Sequence, residues 1–202
     1  MPDPHVNPAT SLPAGSATVV ATGTVPDLPP RWPAAVRTEL VRRHRLILDR
    51  VQARGVGPVL DLTLPEQRQA LREAVATGDP TALTDQHGSY AAVVSVAGLC
   101  RLADLGSALG VVADLLVDDG VAWFVEPGFT PGLRATLTSS VGALLPPARG
   151  VHLARNVPAT VRAVGLSITD VERFTMNTPL WPLRPFVELR AVKISGSGEG
   201  SP

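Results

Sequence analysis

Across residues 34–54 the apolar residues Val36, Leu40, Ile47, Leu48 and Val51 recur at helical spacing among arginines and glutamates, which predicts an amphipathic helix ended by Gly55 and Gly57. The pattern then changes to a short apolar run, Pro58-Val59-Leu60-Asp61-Leu62, whose branched residues suit a buried strand. Thr63 and Glu66 have the spacing of a capping box and Pro65 suits a first turn. A second helix is therefore predicted to run to Thr77, with Gly78 as its stop. Residues 90–96, Tyr-Ala-Ala-Val-Val-Ser-Val, read as a second buried strand. Asp104 can cap a helix over 105–117 that Gly120 closes, and 121–126 predicts a third strand.

Further along, Thr130-Pro131 can start a helix, and Asn156 with Pro158 begins a shorter one that Gly165 ends. Residues 166–174 and 186–193 carry alternating apolar positions on either side of a proline-rich loop with Trp181, which predicts a terminal antiparallel pair. Strands alternating with helices predict an α/β doubly wound fold: a mostly parallel sheet, covered on both faces, with an antiparallel hairpin at its C-terminal edge.

Composition sets the boundaries of that domain. Prolines and small residues crowd 1–33, and 195–202 reads Ser-Gly-Ser-Gly-Glu-Gly-Ser-Pro; neither composition repays its ordering entropy, so both are expected to be flexible tails around a folded unit at 34–194. Lys+Arg and Asp+Glu are both 18, and no long basic run is present, which argues against nucleic acid and against an anionic membrane surface as partners. With Cys100 the one cysteine, no intramolecular disulfide forms, and no Cys/His spacing suits a structural metal. Without a signal-peptide pattern or a long apolar run, the protein is expected to be cytoplasmic.

The residues 90–127, YAAVVSVAGLCRLADLGSALGVVADLLVDDGVAWFVEP, resemble the central part of class I S-adenosylmethionine-dependent methyltransferases. In that family a strand ends beside the adenine, a helix follows, and an Asp-Gly or Gly-Gly turn leads to a strand that often closes in Glu-Pro. The resemblance continues over 151–193, where VHLARNVPATVRAVGLSITDVERF and LRPFVELRAVK are similar to the last helix and final hairpin of the small-molecule members. It implies a Rossmann-like fold and S-adenosylmethionine as cofactor. Nearer the N-terminus the chain departs from the family. Members cradle the cofactor in a glycine-rich loop, since only glycine lets the backbone come so close to the ligand, but Asp61-Leu62 is followed here by Thr63-Leu64-Pro65-Glu66-Gln67.

Two registers follow from this departure. In one, residues 59–62 stand for the family's first strand and its glycine loop is degraded. In the other they stand for the second strand, Asp61 is the acid that holds the ribose hydroxyls, Gly78-Asp79-Pro80 resembles the end of the third strand, and the first strand falls on the weak candidate at 17–23. Either way one or two strands of the family sheet are expected to be missing.

By the resemblance, Asp61, Leu62, Thr63, Asp79, Pro80, Ser95, Val96 and Leu99 are the candidate cofactor residues, and Glu126 and His152 the candidate substrate residues. Each has a plainer structural reading: strand-end acids and apolar strand ends are often only caps and core, Glu-Pro also ends strands, and His152 also reads as a surface histidine. His44 and His87 lack a spaced metal partner and read as solvated; Cys100 reads as buried. The expected function is a methyltransferase-like protein whose degraded cofactor site leaves it non-catalytic or weakly active, working as a binding or partner module with an intact methyltransferase, a second copy or a small-molecule ligand. The alternative is an active methyltransferase of a small-molecule acceptor, whose cofactor is bound by another kind of loop; in-line methyl transfer relies on alignment and desolvation, so a dedicated base is optional.

Overall fold

The computed structural model describes residues 26–55, 57–83, 88–128 and 150–194. The helix expected at Thr130-Pro131, the strand candidate at 17–23, His87 and the C-terminal tail lie outside these residues. Helix α1 (Ala34–Ala53) is followed by β1 (Val59–Asp61), α2 (Pro65–Thr77), β2 (Tyr90–Val96), α3 (Leu105–Leu115), β3 (Leu116–Pro127), α4 (Val157–Ala163), β4 (Leu166–Thr175) and β5 (Pro185–Lys193).

The five strands form one sheet in the order β1-β2-β3-β5-β4. β1, β2 and β3 are parallel, and β5 runs antiparallel to both β3 and β4. Alternation along the strands sends side chains to opposite faces. Leu60, Val93, Ala122 and Leu189 pack with Leu71 of α2, Leu109 and Val112 of α3 and Val161 of α4. Val59, Val94, Trp123 and Val125 point the other way, toward Val36, Leu40, Ile47 and Val51 of α1. Thus α2, α3 and α4 share one face and α1 covers the other. No helix among the described residues is long and apolar enough to cross a membrane.

Local chemistry accounts for most boundaries. Asp104 caps α3, its carboxylate accepting the N–H of Ser107 at 3.0 Å, and Asn156 caps α4 through the N–H of Ala159 at 3.2 Å. Gly78 ends α2 with φ +71°, where a side chain would be strained.

Four local expectations are corrected. The capping box does not form: Leu64 occupies the cap position of α2 without a side-chain bond, because the Thr63 hydroxyl is engaged with β2 instead. Gly78-Asp79-Pro80 is no strand end; it is a helix stop followed by a single 3-10 turn capped by Asp79. Helix α3 ends at Leu115 rather than 117, since Leu116 already pairs with Tyr90, and β3 is longer than the sequence pattern suggests. Strand pairing there outweighs local helix preference, with Asp119 at φ +60° inside the irregular part of β3.

Residues 26–33, which composition places in the tail, lie against the domain. Trp32 is 2% exposed and meets Phe186 edge-on, 5.9 Å between ring centres, and Leu28 joins the same core as α1. Aromatic burial here repays the ordering that the prolines alone would not. Trp32→Ala is therefore expected to cost about 3–5 kcal/mol in denaturant unfolding; a loss within about 0.5 kcal/mol, the usual effect of a surface change, would return this segment to the tail.

Candidate functional site

Parallel strands deliver their carboxyl ends to one side of the sheet, and Asp61, Val96 and Glu126 stand there at the ends of β1, β2 and β3. Asp61 Oδ2 lies 2.7 Å from His44 Nε2, and Asp61 Oδ1 accepts the N–H of Thr63 at 2.9 Å. The Asp61 N–H donates to the Gln67 side chain. Asp61 and His44 are both 1% exposed, so the solvated reading of His44 is corrected. The signal was available: His44 falls on the buried stripe Leu40, His44, Ile47, Val51 of α1.

Thr63 joins the two strand ends, its hydroxyl oxygen accepting the N–H of Val96 at 3.0 Å. Leu62 donates to the Val94 carbonyl at 2.8 Å, so the chain beyond β1 stays against β2 for another residue. Leu62, Thr63, Ser95, Val96 and Leu99 are fully buried.

The Glu126 side chain is fully buried beside them. Oε1 accepts the Ser95 hydroxyl at 2.8 Å and the N–H groups of Gly98 at 3.1 Å and Leu99 at 2.9 Å; Oε2 accepts the N–H of Cys100 at 3.0 Å. Burial raises the Glu126 carboxyl above its ordinary pKa, and the donors from Leu99, Ser95 and Cys100 oppose that rise. The Cys100 thiol is buried, as expected from sequence, and contacts the Ala97 carbonyl at 3.3 Å; burial and then the nearby Glu126 charge push its pKa well up. At Gly98 a Cβ would lie 2.5 Å from the Leu62 carbonyl oxygen and 2.7 Å from Ser95 Oγ, so the turns after β1 and β2 are in direct contact.

A strap closes the outside. Arg68 of α2 is 2% exposed, donates to the carbonyls of Leu62 and Thr63, both at 3.1 Å, and pairs with Asp27. Arg101 holds the Asp27 carboxylate at 2.8 Å and its carbonyl at 2.9 Å. Burial would raise the Asp27 carboxyl, but the bonds from Arg101 and Arg68 outweigh it and hold the pKa below 3.8. Proximity alone separates the remaining candidates. His152 is exposed, tied to the cluster only by its backbone N–H on the Cys100 carbonyl at 2.7 Å. Asp79 and Pro80 follow the far end of α2, at the opposite end of the sheet from Asp61. Among the described residues no group of three His, Cys, Asp or Glu side chains could hold a metal ion.

Solved structures give this geometry a context. A proposed sarcosine dimethylglycine methyltransferase from Galdieria sulphuraria superposes with a TM-score of 0.54 at 10% identity, over 81% of this chain and 91% of that one. The chain has a class I methyltransferase-like fold. A proposed methyltransferase from Bacillus halodurans matches at TM-score 0.47 and 9% identity, over 56% of this chain and 68% of that one. An S-adenosylmethionine-dependent methyltransferase from Thermotoga maritima matches at 0.43 and 14%, over 55% and 59%. The fold assignment rests on the first of these. No protein-family model and no curated protein matches the sequence.

In the doubly wound order 3-2-1-4-5-6 the first strand neighbours the fourth, and the ligand crevice opens where their following loops leave for opposite faces. Here β1 pairs directly with β2. Among the described residues no strand lies outside β1. In chain order β1 is followed by α2 and β2 is the next strand, and α2 lies on the same face as α3. Both loops thus turn the same way, and the space where they would diverge holds Thr63, Ser95, Gly98 and the Glu126 carboxylate. Thr63 and Leu64, which follow β1, are 0% and 7% exposed. Both acids, Asp61 and Glu126, already have a protein partner on each oxygen.

Removing the Glu126 carboxylate strands the N–H groups of Gly98, Leu99 and Cys100. Glu126→Ala is expected to cost on the order of 3 kcal/mol or more in urea unfolding. The raised pKa also sets a sign: the Glu126 contribution to stability is complete below 4.5 and is lost as pH rises through the folded value, so this part of the pH dependence disappears in Glu126→Gln. An Ala variant as stable as the parent would mean that the carboxylate does not organise these turns.

Proposed function

We propose that this methyltransferase-fold protein has a degraded S-adenosylmethionine site, is non-catalytic or at most weakly active, and works as a binding or partner module. One observation carries the reading: the carboxyl ends of β1, β2 and β3, the side on which open α/β sheets in general bind ligands, are filled by mutually bonded side chains, with Asp61 on His44, Thr63 on Val96 and Glu126 on three consecutive backbone N–H groups. A sulfonium nucleoside seated there would have to displace every one of these bonds and supply equivalent partners. The Arg68–Asp27–Arg101 strap adds to that cost. Calorimetric titration with S-adenosylmethionine and with S-adenosylhomocysteine is expected to show no binding tighter than about 1 mM. Micromolar binding of either would overturn the reading in favour of an active enzyme for a small-molecule acceptor.

The partner surface we favour is the outer edge of β1, which no other strand covers among the described residues. An uncovered edge offers backbone donors and acceptors to another chain, either a second copy or an intact methyltransferase. In light scattering the self-paired form gives the mass of a dimer, twice the 21.1 kDa of the chain. A monomer mass that persists as concentration rises would remove the second copy.

A further inference from the structure

The step from Asp119 to Gly120 is the one place in the sequence where an aspartate or asparagine precedes a glycine. The fold requires that glycine. A Cβ on residue 120 would lie 2.7 Å from the Val117 carbonyl oxygen and 3.1 Å from Leu116 Cδ2, so no side chain fits there. Asp119 itself stands at φ +60°, in the left-handed region, a conformation that is uphill for an L-residue.

Nothing among the described residues holds the Asp119 carboxylate. Its side chain is exposed and takes part in no hydrogen bond or ion pair, unlike Asp104, whose two oxygens accept the N–H and the hydroxyl of Ser107 at 3.0 and 2.7 Å. The ladder around it is slack as well. Tyr90 pairs with Leu116 and Ala92 with Val121, so residues 117–120 of β3 face only Ala91 of β2. A carboxyl free to rotate and an amide nitrogen with no side chain beside it are thus held next to each other in one turn, and such proximity makes a ring-closing reaction effectively unimolecular.

We propose that Asp119-Gly120 is a site of spontaneous isomerisation to isoaspartate. The Gly120 nitrogen attacks Asp119 Cγ; the N–Cγ bond forms, the Cγ–OH bond of the protonated carboxyl breaks, and the hydroxyl leaves with the amide proton as water. Water then opens the five-membered imide. Attack at Cγ restores aspartate, whereas attack at the main-chain carbonyl carbon of Asp119 breaks its bond to the Gly120 nitrogen and leaves a backbone that runs through the Asp119 side chain. The product carries one more methylene in the backbone and is released from the left-handed conformation. Because the added length falls within 117–120, before the pairing that resumes at Val121, the sheet keeps its register and the modified chain stays folded. The site lies at the other end of β3 from Glu126 and does not depend on the function proposed above.

The test ages the full chain for several weeks at neutral pH in H₂¹⁸O, digests it in ordinary water, and maps every aspartate by electron-transfer mass spectrometry. Opening of the imide leaves one ¹⁸O at position 119 whether aspartate or isoaspartate results, and isoaspartate is read separately from its diagnostic backbone fragments. Label and isoaspartate at Asp119 are expected to exceed those at any other aspartate by about tenfold or more. Asp119→Glu, which would have to close a six-membered ring, is expected to remove both signals from this position; should that variant not fold, the map of the parent decides. The proposal is overturned if Asp119 carries no more label than the other aspartates, or if it is labelled only in urea, which would mean that the folded turn protects it.

Discussion

A carboxylate taken out of water must be given its hydrogen bonds by the protein, and at Glu126 that requirement ties together the whole carboxyl end of the sheet. Its two oxygens accept the Ser95 hydroxyl from β2 and the N–H groups of Gly98, Leu99 and Cys100 from the turn that follows. That turn can lie so close only because residue 98 has no side chain to strike the Leu62 carbonyl. The end of β1 is thereby pressed against the end of β2, and Thr63 completes the contact by accepting from Val96. Without the Glu126 carboxylate three adjacent donors would be buried with nothing to bond, a worse outcome than an apolar core of the same shape.

The same closeness follows from chain path. A crevice in an open α/β sheet exists because two neighbouring strands send their loops to opposite faces. In this protein one helix connects β1 to β2 and another connects β2 to β3, and both pack on the face that carries Leu60, Val93 and Ala122. The loops converge rather than part. The opposite face is left to α1 with residues 26–33 and the Met176 to Leu183 region, where Trp32, Phe186 and Leu183 fill the core. Asp27 then reaches round to Arg68 and Arg101, so the segment preceding α1 is held against α2 and the turn that follows β2. Topology, packing and polar satisfaction point to the same closed arrangement.

Much of this was legible in the order of residues. The apolar stripe of α1, the branched runs of β1 and β2, the caps at Asp104 and Asn156 and the alternating pair at the C-terminus all carry their own periodicity, and the structure places an element at each. What stayed hidden depends on contacts distant in the chain. Thr63 looks like a helix cap until β2 offers it the Val96 N–H. The partner of Asp61, His44, stands seventeen positions earlier in the chain and lies 2.7 Å away on the facing helix. Leu116 continues a helical pattern until Tyr90 pairs with it. The spacing of residues 59–62 leaves two registers open, because a strand's own residues do not fix its neighbours in the sheet. Among the candidate residues, Asp61, Leu62, Thr63, Ser95, Val96, Leu99 and Glu126 gather at one end, His152 stands at its rim, and Asp79 and Pro80 belong to the other.

Amide hydrogen exchange at the strand ends tests the closed arrangement most directly. Followed residue by residue in the free protein and with millimolar S-adenosylhomocysteine, the N–H groups of Val96, Gly98, Leu99 and Cys100 are predicted to exchange only through global unfolding, at the same slow rate in both samples. Fast exchange of these four amides in the free protein, slowed when the nucleoside is added, would mean that the strand ends are an open cleft that the nucleoside closes, and would contradict the account.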